Sequence, residues 1–279
     1  YGVAADRDGR IYVSNWGKLN NVSVFGPDGK FQRSVGKEGG RPRMGRYDGS
    51  GMLRPAGIGV DEQGRLWAAE HILFPKRMSV WDTKTGQLAK EFFGGSWYSS
   101  HAWVDPEKPE EIYCDGVIWK VDYDRKTWEP YSTIWYGNPY LDFDTLSPEG
   151  SHYGGFRAFT ARNGRQYAWA ASQGNVLFIR QGDIYKPFLS AFVSVRGNEY
   201  IPWPPYPFMS DLTKYPNGHY VWADGNDDGR IQAEEVKQAS DHPDKPVGWC
   251  WVDKDLNLWG GDGRSYRPRK IGPDGKPTY

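Results

Sequence analysis

Cysteine is almost missing from this sequence. Cys114 and Cys250 are the only two in 279 residues, which excludes a disulfide scaffold. Each sits in an aromatic, strand-like run, so both are expected to be buried thiols, in repeat units too far apart to bridge. Long apolar runs are missing too. No stretch approaches the roughly 18–20 apolar residues that a membrane span needs. Lys and Arg total 35 and Asp and Glu total 35, so the formal net charge is zero. That balance lacks the electrostatic footprint of a general nucleic-acid binder or a polybasic membrane-surface protein. There is no nucleophile elbow, P-loop, dinucleotide fingerprint or C-x-x-C-H run. The chain opens at Tyr1, inside a strand-like pattern and without a Met or signal peptide. This is the expectation for a processed chain or a piece of a longer one.

What is abundant is turn chemistry and aromatic surface. Gly (35) and Pro (20) make up about a fifth of the chain, and aromatics make up 16%, with 14 Trp. Many turns beside many aromatics predict short strands rather than long helices. The strands repeat. Gly2–Val13, Gly57–Ala68 and Gly248–Trp259 each read as strand, Asp-led turn, strand, with an aromatic six residues after the Asp: 6 to 12, 61 to 67, 253 to 259. The third copy has Leu256 where the others have Gly9 and Gly64, so its turn chemistry is expected to depart. A fourth copy, from Ala102–Asp105 to Ile112–Tyr113, carries a two-residue insertion with Pro106 and Pro109. A second hairpin also recurs, in Val24–Lys30 and Lys270–Lys276, where Pro-Asp-Gly presets the turn. Units of this kind run over 2–36, 55–94, 100–133, 154–191, 192–240 and 247–279, the last stopping before its outer strand is complete. Four-stranded units at this period predict an all-β fold, a six-bladed β-propeller occupying 1–279 as a single domain.

The segments Pro55–Asp61, Gly64–Trp67 and Lys76–Trp81 carry a resemblance to the NHL-repeat type of β-propeller. The likeness is best over two units and poorest over 192–246. It implies the fold. Because NHL-type propellers include binding platforms, scaffolds and some enzymes, it leaves the function open.

Residues 224–235 read Asp-Gly-Asn-Asp-Asp-Gly-Arg-Ile-Gln-Ala-Glu-Glu, which fits the EF-hand calcium-loop pattern at every constrained position. Ca²⁺ takes six to eight oxygens. Asp224, Asn226 and Asp228 offer side-chain oxygens, Arg230 its carbonyl, Gln232 a contact through water, and Glu235 a bidentate carboxylate. Gly229 makes the sharp turn. The preceding His219–Trp222 alternates like a strand, and Ala233–Ala239 is read as a short exiting helix. The loop is therefore an EF-hand-like insertion between strands, with Ca²⁺ in a structural role. The alternative is a metal-free acidic turn.

Loop positions expected to face one end of the ring hold Asn15-Trp16, Arg54, Glu70-His71, Tyr98, His101, Asp115, His152, Arg157, Gln173 and Asp262. Converging imidazoles at His71, His101 and His152 would suit a second, transition metal. Without that convergence they are ordinary polar loop residues. Glu70-His71 with Lys76-Arg77 is read either as an anion site or as a solvated loop, and Arg41–Arg46 as a flexible basic loop. Ile201–Phe208 is read as a rigid aromatic loop for a sugar or protein partner, or as a plug over a blade edge.

The reading is a calcium-stabilised binding or scaffold module, extracytoplasmic, for a carbohydrate or protein ligand, with no nucleic acid and no membrane span. Oligomeric state stays open. The alternative is a metal-assisted lyase or hydrolase acting on a polysaccharide or peptide, with His71, His101 or His152 and Arg54 or Arg157 as catalytic candidates. A propeller-type dehydrogenase has no supporting motif.

Overall fold

A computed structural model describes residues 1–73, 75–94, 102–114, 116–134, 154–171, 175–194, 196, 206–240, 249–261 and 263–279. The described regular structure is all β, apart from short 3-10 turns such as Pro207–Ser210 and Ala233–Glu235. Its strands form six antiparallel sheets.

The first sheet holds β1 (Val3–Ala5), β2 (Ile11–Ser14), β3 (Val22–Phe25) and β4 (Phe31–Val35) in sequence order. After the two-residue β5 (Gly45–Arg46) comes a second four-stranded meander of β6 (Pro55–Val60), β7 (Arg65–Leu73), β8 (Lys76–Asp82) and β9 (Leu88–Gly94). The third repeat gives β10 (Ala102–Val104), β11 (Glu111–Cys114), β12 (Val117–Asp122) and β13 (Thr127–Thr133), with β5 paired to β13. Apart from β5, these strands fall inside the first three expected repeat units.

The fourth and fifth units differ from expectation. β14 (Gly154–Thr160), β15 (Gln166–Ala171), β16 (Asn175–Gln181) and β17 (Ile184–Ser194) are joined in one six-stranded sheet by β18 (Gly218–Ala223) and β19 (Val236–Ser240). The reason is the length of β17. It pairs with β16 from Ile184 to Ala191 and with β18 from Leu189 to Ser194, so its two ends carry different neighbours and link the two units in one sheet. The last unit gives β20 (Trp251–Val252), β21 (Leu258–Trp259) and β22 (Ser265–Tyr266), then a separate pair, β23 (Lys270–Ile271) and β24 (Pro277–Thr278).

The chain divides into two compact units. The first is Tyr1–Ser100 with Asp115–Ile118 and Glu129–Ile134; the second is His101–Cys114, Trp119–Trp128 and Trp135–Tyr279. The first unit packs Tyr12, Val22, Val24, Met52, Leu66 and Trp81 into its core. The second packs Tyr167, Trp169, Leu177, Phe188, Leu256 and Leu258 into one cluster, and Phe192, Tyr206, Met209, Tyr220 and Trp222 into another. At the described end of the Ile201–Phe208 segment Tyr206 and Phe208 stack at 5.2 Å, and Tyr206 is buried in the second cluster. Residues 201–205 lie outside the described residues.

The six-residue Asp-to-aromatic spacing now has a cause. The second carboxylate oxygen of each Asp accepts the aromatic's hydrogen bond: Tyr12 Oη to Asp6 at 2.9 Å, Trp67 Nε1 to Asp61 at 2.8 Å, Trp259 Nε1 to Asp253 at 2.9 Å. The first oxygen accepts two backbone N–H groups of the turn, as at Gln63 and Arg65 for Asp61. The expected departure at Leu256 does not occur. Leu256 takes φ 64°, beside 78° at Gly9 and 72° at Gly64, and its N–H bonds the Asp253 carbonyl at 3.0 Å, as Gly64 bonds Asp61. A left-handed Leu costs roughly 1–2 kcal/mol, and burial of its side chain in the core, where it is 1% exposed, offsets that cost. The fourth copy does depart. With the prolyl insertion, Asp105 accepts the Thr160 hydroxyl at 2.7 Å, and Tyr113 turns to Glu111.

Cys114 and Cys250 form no disulfide, as expected. Neither is fully buried, however. Cys114 is half-buried and Cys250 exposed, because Cys250 lies just ahead of the short β20 rather than inside a covered strand.

Candidate functional site

The 224–235 loop follows β18 directly, so the strand reading of its entrance holds. Its exit is different. Instead of a helix over 233–239, the chain makes one 3-10 turn at Ala233–Glu235 and enters β19, because pairing to β18 outcompetes one exposed helical turn. Within the loop, Asp224 accepts the N–H groups of Asp228 (3.2 Å) and Gly229 (3.3 Å), and Gly229 takes φ 71°. Asn226 Oδ1 accepts the Asp228 N–H at 3.0 Å, and Gln232 Nε2 donates to Asp228 at 2.6 Å. Glu235 folds back to accept the Gly225 N–H and the Trp222 indole, both at 2.8 Å. The Arg230 N–H bonds Asp228 at 2.7 Å.

Two cations reach into this loop. Lys276, from the turn before β24, lies 3.3 Å from Asp224 and 2.8 Å from Asp227, and Lys186 lies 3.1 Å from Asp227. Hydrogen bonding by Lys276 holds the Asp227 carboxyl below its ordinary range. Burial pulls the Lys276 ammonium down, but the two aspartates outweigh it and raise it overall. Among the described residues no three His, Cys, Asp or Glu side chains gather tightly enough to grip a metal ion. The donor chemistry still suits a hard cation. The oxygens of Asp224, Asn226, Asp228, Gln232 and Glu235 share one loop, and Gln232 Oε1 is buried with no hydrogen-bond partner, an acceptor that a cation would satisfy.

The charged loop positions sort differently from expectation. Glu70 and Arg77 are neither an anion site nor a solvated loop, because both side chains are fully buried. Glu70 lies in β7, opposite Pro55, and takes Arg41 at 2.8 Å on one oxygen and Arg77 at 2.9 Å on the other. Arg77 also bonds the carbonyls of Gly51 and Gly49 and pairs with Glu91. The Arg41–Arg46 run is thus anchored at both ends: Arg41 is buried, Gly45–Arg46 is a strand, and Arg46 sits 4.0 Å over the Tyr131 ring. Local spacing hides this, since the partners are 29 residues apart for Arg41 and Glu70.

His71 is exposed and stacks at 5.4 Å on Trp16, and Arg54 lies 5.7 Å over the same ring. The His71 N–H bonds the Arg54 carbonyl at 2.8 Å, and the Trp16 indole bonds the Pro55 carbonyl at 2.7 Å. Arg54 itself takes a left-handed φ of 50°. The first unit thus brings together three of the expected positions. Tyr98, His101, Asp115, His152, Gln173 and Asp262 lie outside the described residues, and so does any three-His convergence.

In the second unit Arg157 enters an aromatic cage not foreseen from the sequence. Its guanidinium carbon is 5.4 Å from the Trp103 ring, 4.7 Å from Trp169 and 5.9 Å from Trp251. The register explains this. Arg157 faces Trp169 across β14–β15, next to an irregularity at Gly154–Arg157, and the Trp103 indole bonds the Ala158 carbonyl at 2.6 Å. The available signal was the repeated Trp-Val-Asp at 103–105 and 251–253, which puts two tryptophans at one place in the repeat.

No family model matches the chain, and no curated protein sequence matches it. Among solved structures, hydrazine synthase from Kuenenia stuttgartiensis is 12% identical, with 92% of this chain and 69% of that chain covered at a TM-score of 0.26. A protein of unknown function from Bacteroides caccae is 10% identical, with 66% of this chain and 58% of that chain covered at a TM-score of 0.23.

Proposed function

We propose that this chain is a calcium-braced binding module for a carbohydrate, built as an NHL-like β-propeller from its six sequence units and working outside the cytoplasm. Support for the fold comes from how neighbouring repeats pack. Trp16 from the first repeat bonds Pro55 at the start of β6 in one unit, and Trp103 on β10 bonds Ala158 on β14 in the other. The initial strands of successive repeats thus lie near each other within each unit, as in a ring of blades.

The observation that carries the function is the pairing of tryptophan rings with arginines that have no carboxylate partner among the described residues. These are Trp16 with Arg54 in one unit, and Trp103, Trp169 and Trp251 with Arg157 in the other. Flat apolar rings beside fixed hydrogen-bond donors suit a pyranose, which has an apolar C–H face and a polar edge. Calcium belongs to the loop as a brace. Asp224, Asn226, Asp228 and Glu235, with the Arg230 carbonyl and Gln232, would hold it, and the ion would supply charge neutralisation and fixed loop geometry. Millimolar calcium outside cells would fill even a modest site. An oligosaccharide array probed with the whole chain in calcium tests the reading. Retention by at least one saccharide class, competed by the free sugar, is expected; retention by none overturns it.

A further inference from the structure

Resting on the carbohydrate reading above, we infer that the Arg157 cage recognises the carboxylate of an acidic saccharide, with the exposed Trp251 ring as the platform for the sugar. Three other buried or half-buried arginines have carboxylates of their own: Arg41 and Arg77 on Glu70, and Arg180 on Glu111 at 2.7 Å. Arg157 is also half-buried, yet among the described residues its guanidinium meets only rings. Ring faces hold a guanidinium by its flat side and leave its N–H edge without acceptors. Those N–H groups are donors only, so the ligand must bring acceptors, and a planar carboxylate matches the fork with two charge-assisted bonds.

The cage is open on one side. Trp169 is 3% exposed and closes the floor, while Trp251 is 44% exposed and meets Trp169 edge to face at 5.9 Å. Trp259, directly opposite Trp251 across β20–β21, is 38% exposed and extends the apolar surface. A simple inorganic anion would use the arginine and leave these rings in water. A uronic acid residue uses both, with the carboxylate on Arg157 and the C–H face on Trp251.

The test is calorimetric titration of the whole chain with uronate-containing oligosaccharides, each beside its carboxyl-reduced counterpart. The acidic form should bind at least about tenfold tighter, the size of a charge-assisted pair. Arg157→Gln should abolish that preference, so that the acidic form binds no tighter than its reduced counterpart, while Trp251→Ala should weaken both forms alike. Arg157→Lys keeps the charge and loses the fork. It should bind the acidic form clearly less tightly than the parent, and it decides the matter should Arg157→Gln melt early. Equal binding of the two forms overturns the inference and leaves the carbohydrate reading standing. So does a preference that survives Arg157→Gln, or parental affinity in Arg157→Lys. Failure of every saccharide to bind overturns both.

Discussion

The two units neutralise clustered acid in different ways. In the first, Glu70 sits at zero side-chain exposure between Arg41 and Arg77, also at zero, with Glu91 balancing the second arginine. Two carboxylates face two guanidiniums, so the cluster balances its own charge. In the second unit, Asp224, Asp227, Asp228 and Glu235 crowd one loop, and the reaching cations are Lys276 and Lys186. With Glu234 and the loop's own Arg230 counted, five negative charges against three positive ones leave the loop short of cation by two. Lysine is also a point charge on a flexible stem, which an ion can displace, whereas a bidentate arginine in a sealed core cannot be displaced. The comparison separates permanent neutralisation, which builds a core, from exchangeable neutralisation, which invites a ligand.

Breaking the permanent cluster should have the largest effect. Glu70→Gln strands two buried guanidiniums and should cost about 3–5 kcal/mol in a denaturant melt. A near-neutral result would mean that the core pairs are replaceable. Calcium should act next in size, and on the loop alone. The gain should be about 2.7 kcal/mol at a hundredfold excess over Kd, read as a calcium-dependent rise in Tm. Glu235→Gln should remove most of that rise, and coincident melts in calcium and chelator would reduce the loop to an acidic turn. A smaller effect is expected from Lys276→Met. Removing the tethered cation should tighten calcium by about fivefold, roughly 1 kcal/mol, while the calcium-free protein melts earlier. Weaker calcium binding would show that Lys276 helps the loop rather than standing in for the ion.

Acid titration gives the smallest and most general effect. At Asp61 desolvation pushes the carboxyl up, but the Trp67 indole and Arg65 hold it at about 2. Asp6 and Asp253 are lowered in the same way, against desolvation, by Arg10 and Tyr12 and by Asn257 and Trp259. A carboxyl depressed in the folded state contributes stability that is present above its unfolded value and lost as pH falls through the folded one. Stability should therefore decline as pH drops from about 4 toward 2, and Trp67→Phe should soften the Asp61 part of that decline. A pH-independent Tm across this window would show that the Asp–aromatic bonds are not made in solution.

Local chemistry was legible wherever its partners lie close along the chain. The Asp–aromatic turns, the hairpins and the strands of the first three repeats follow from residues a few positions apart, because one carboxylate can reach both its own turn and the next strand. The calcium-loop pattern was legible for the same reason. What the tertiary structure decided involves partners far apart in sequence. It joined β18 and β19 to the sheet of the fourth repeat, since β17 runs on past its pairing with β16 and takes β18 along its far end. It buried Arg41 on Glu70, 29 positions away, where the sequence pattern reads as a flexible basic loop. It seated Leu256 in a left-handed turn, because core burial repays a strain that local propensity counts as prohibitive. And it closed three tryptophans around Arg157, since only packing of the third, fourth and sixth repeats brings their side chains to one place.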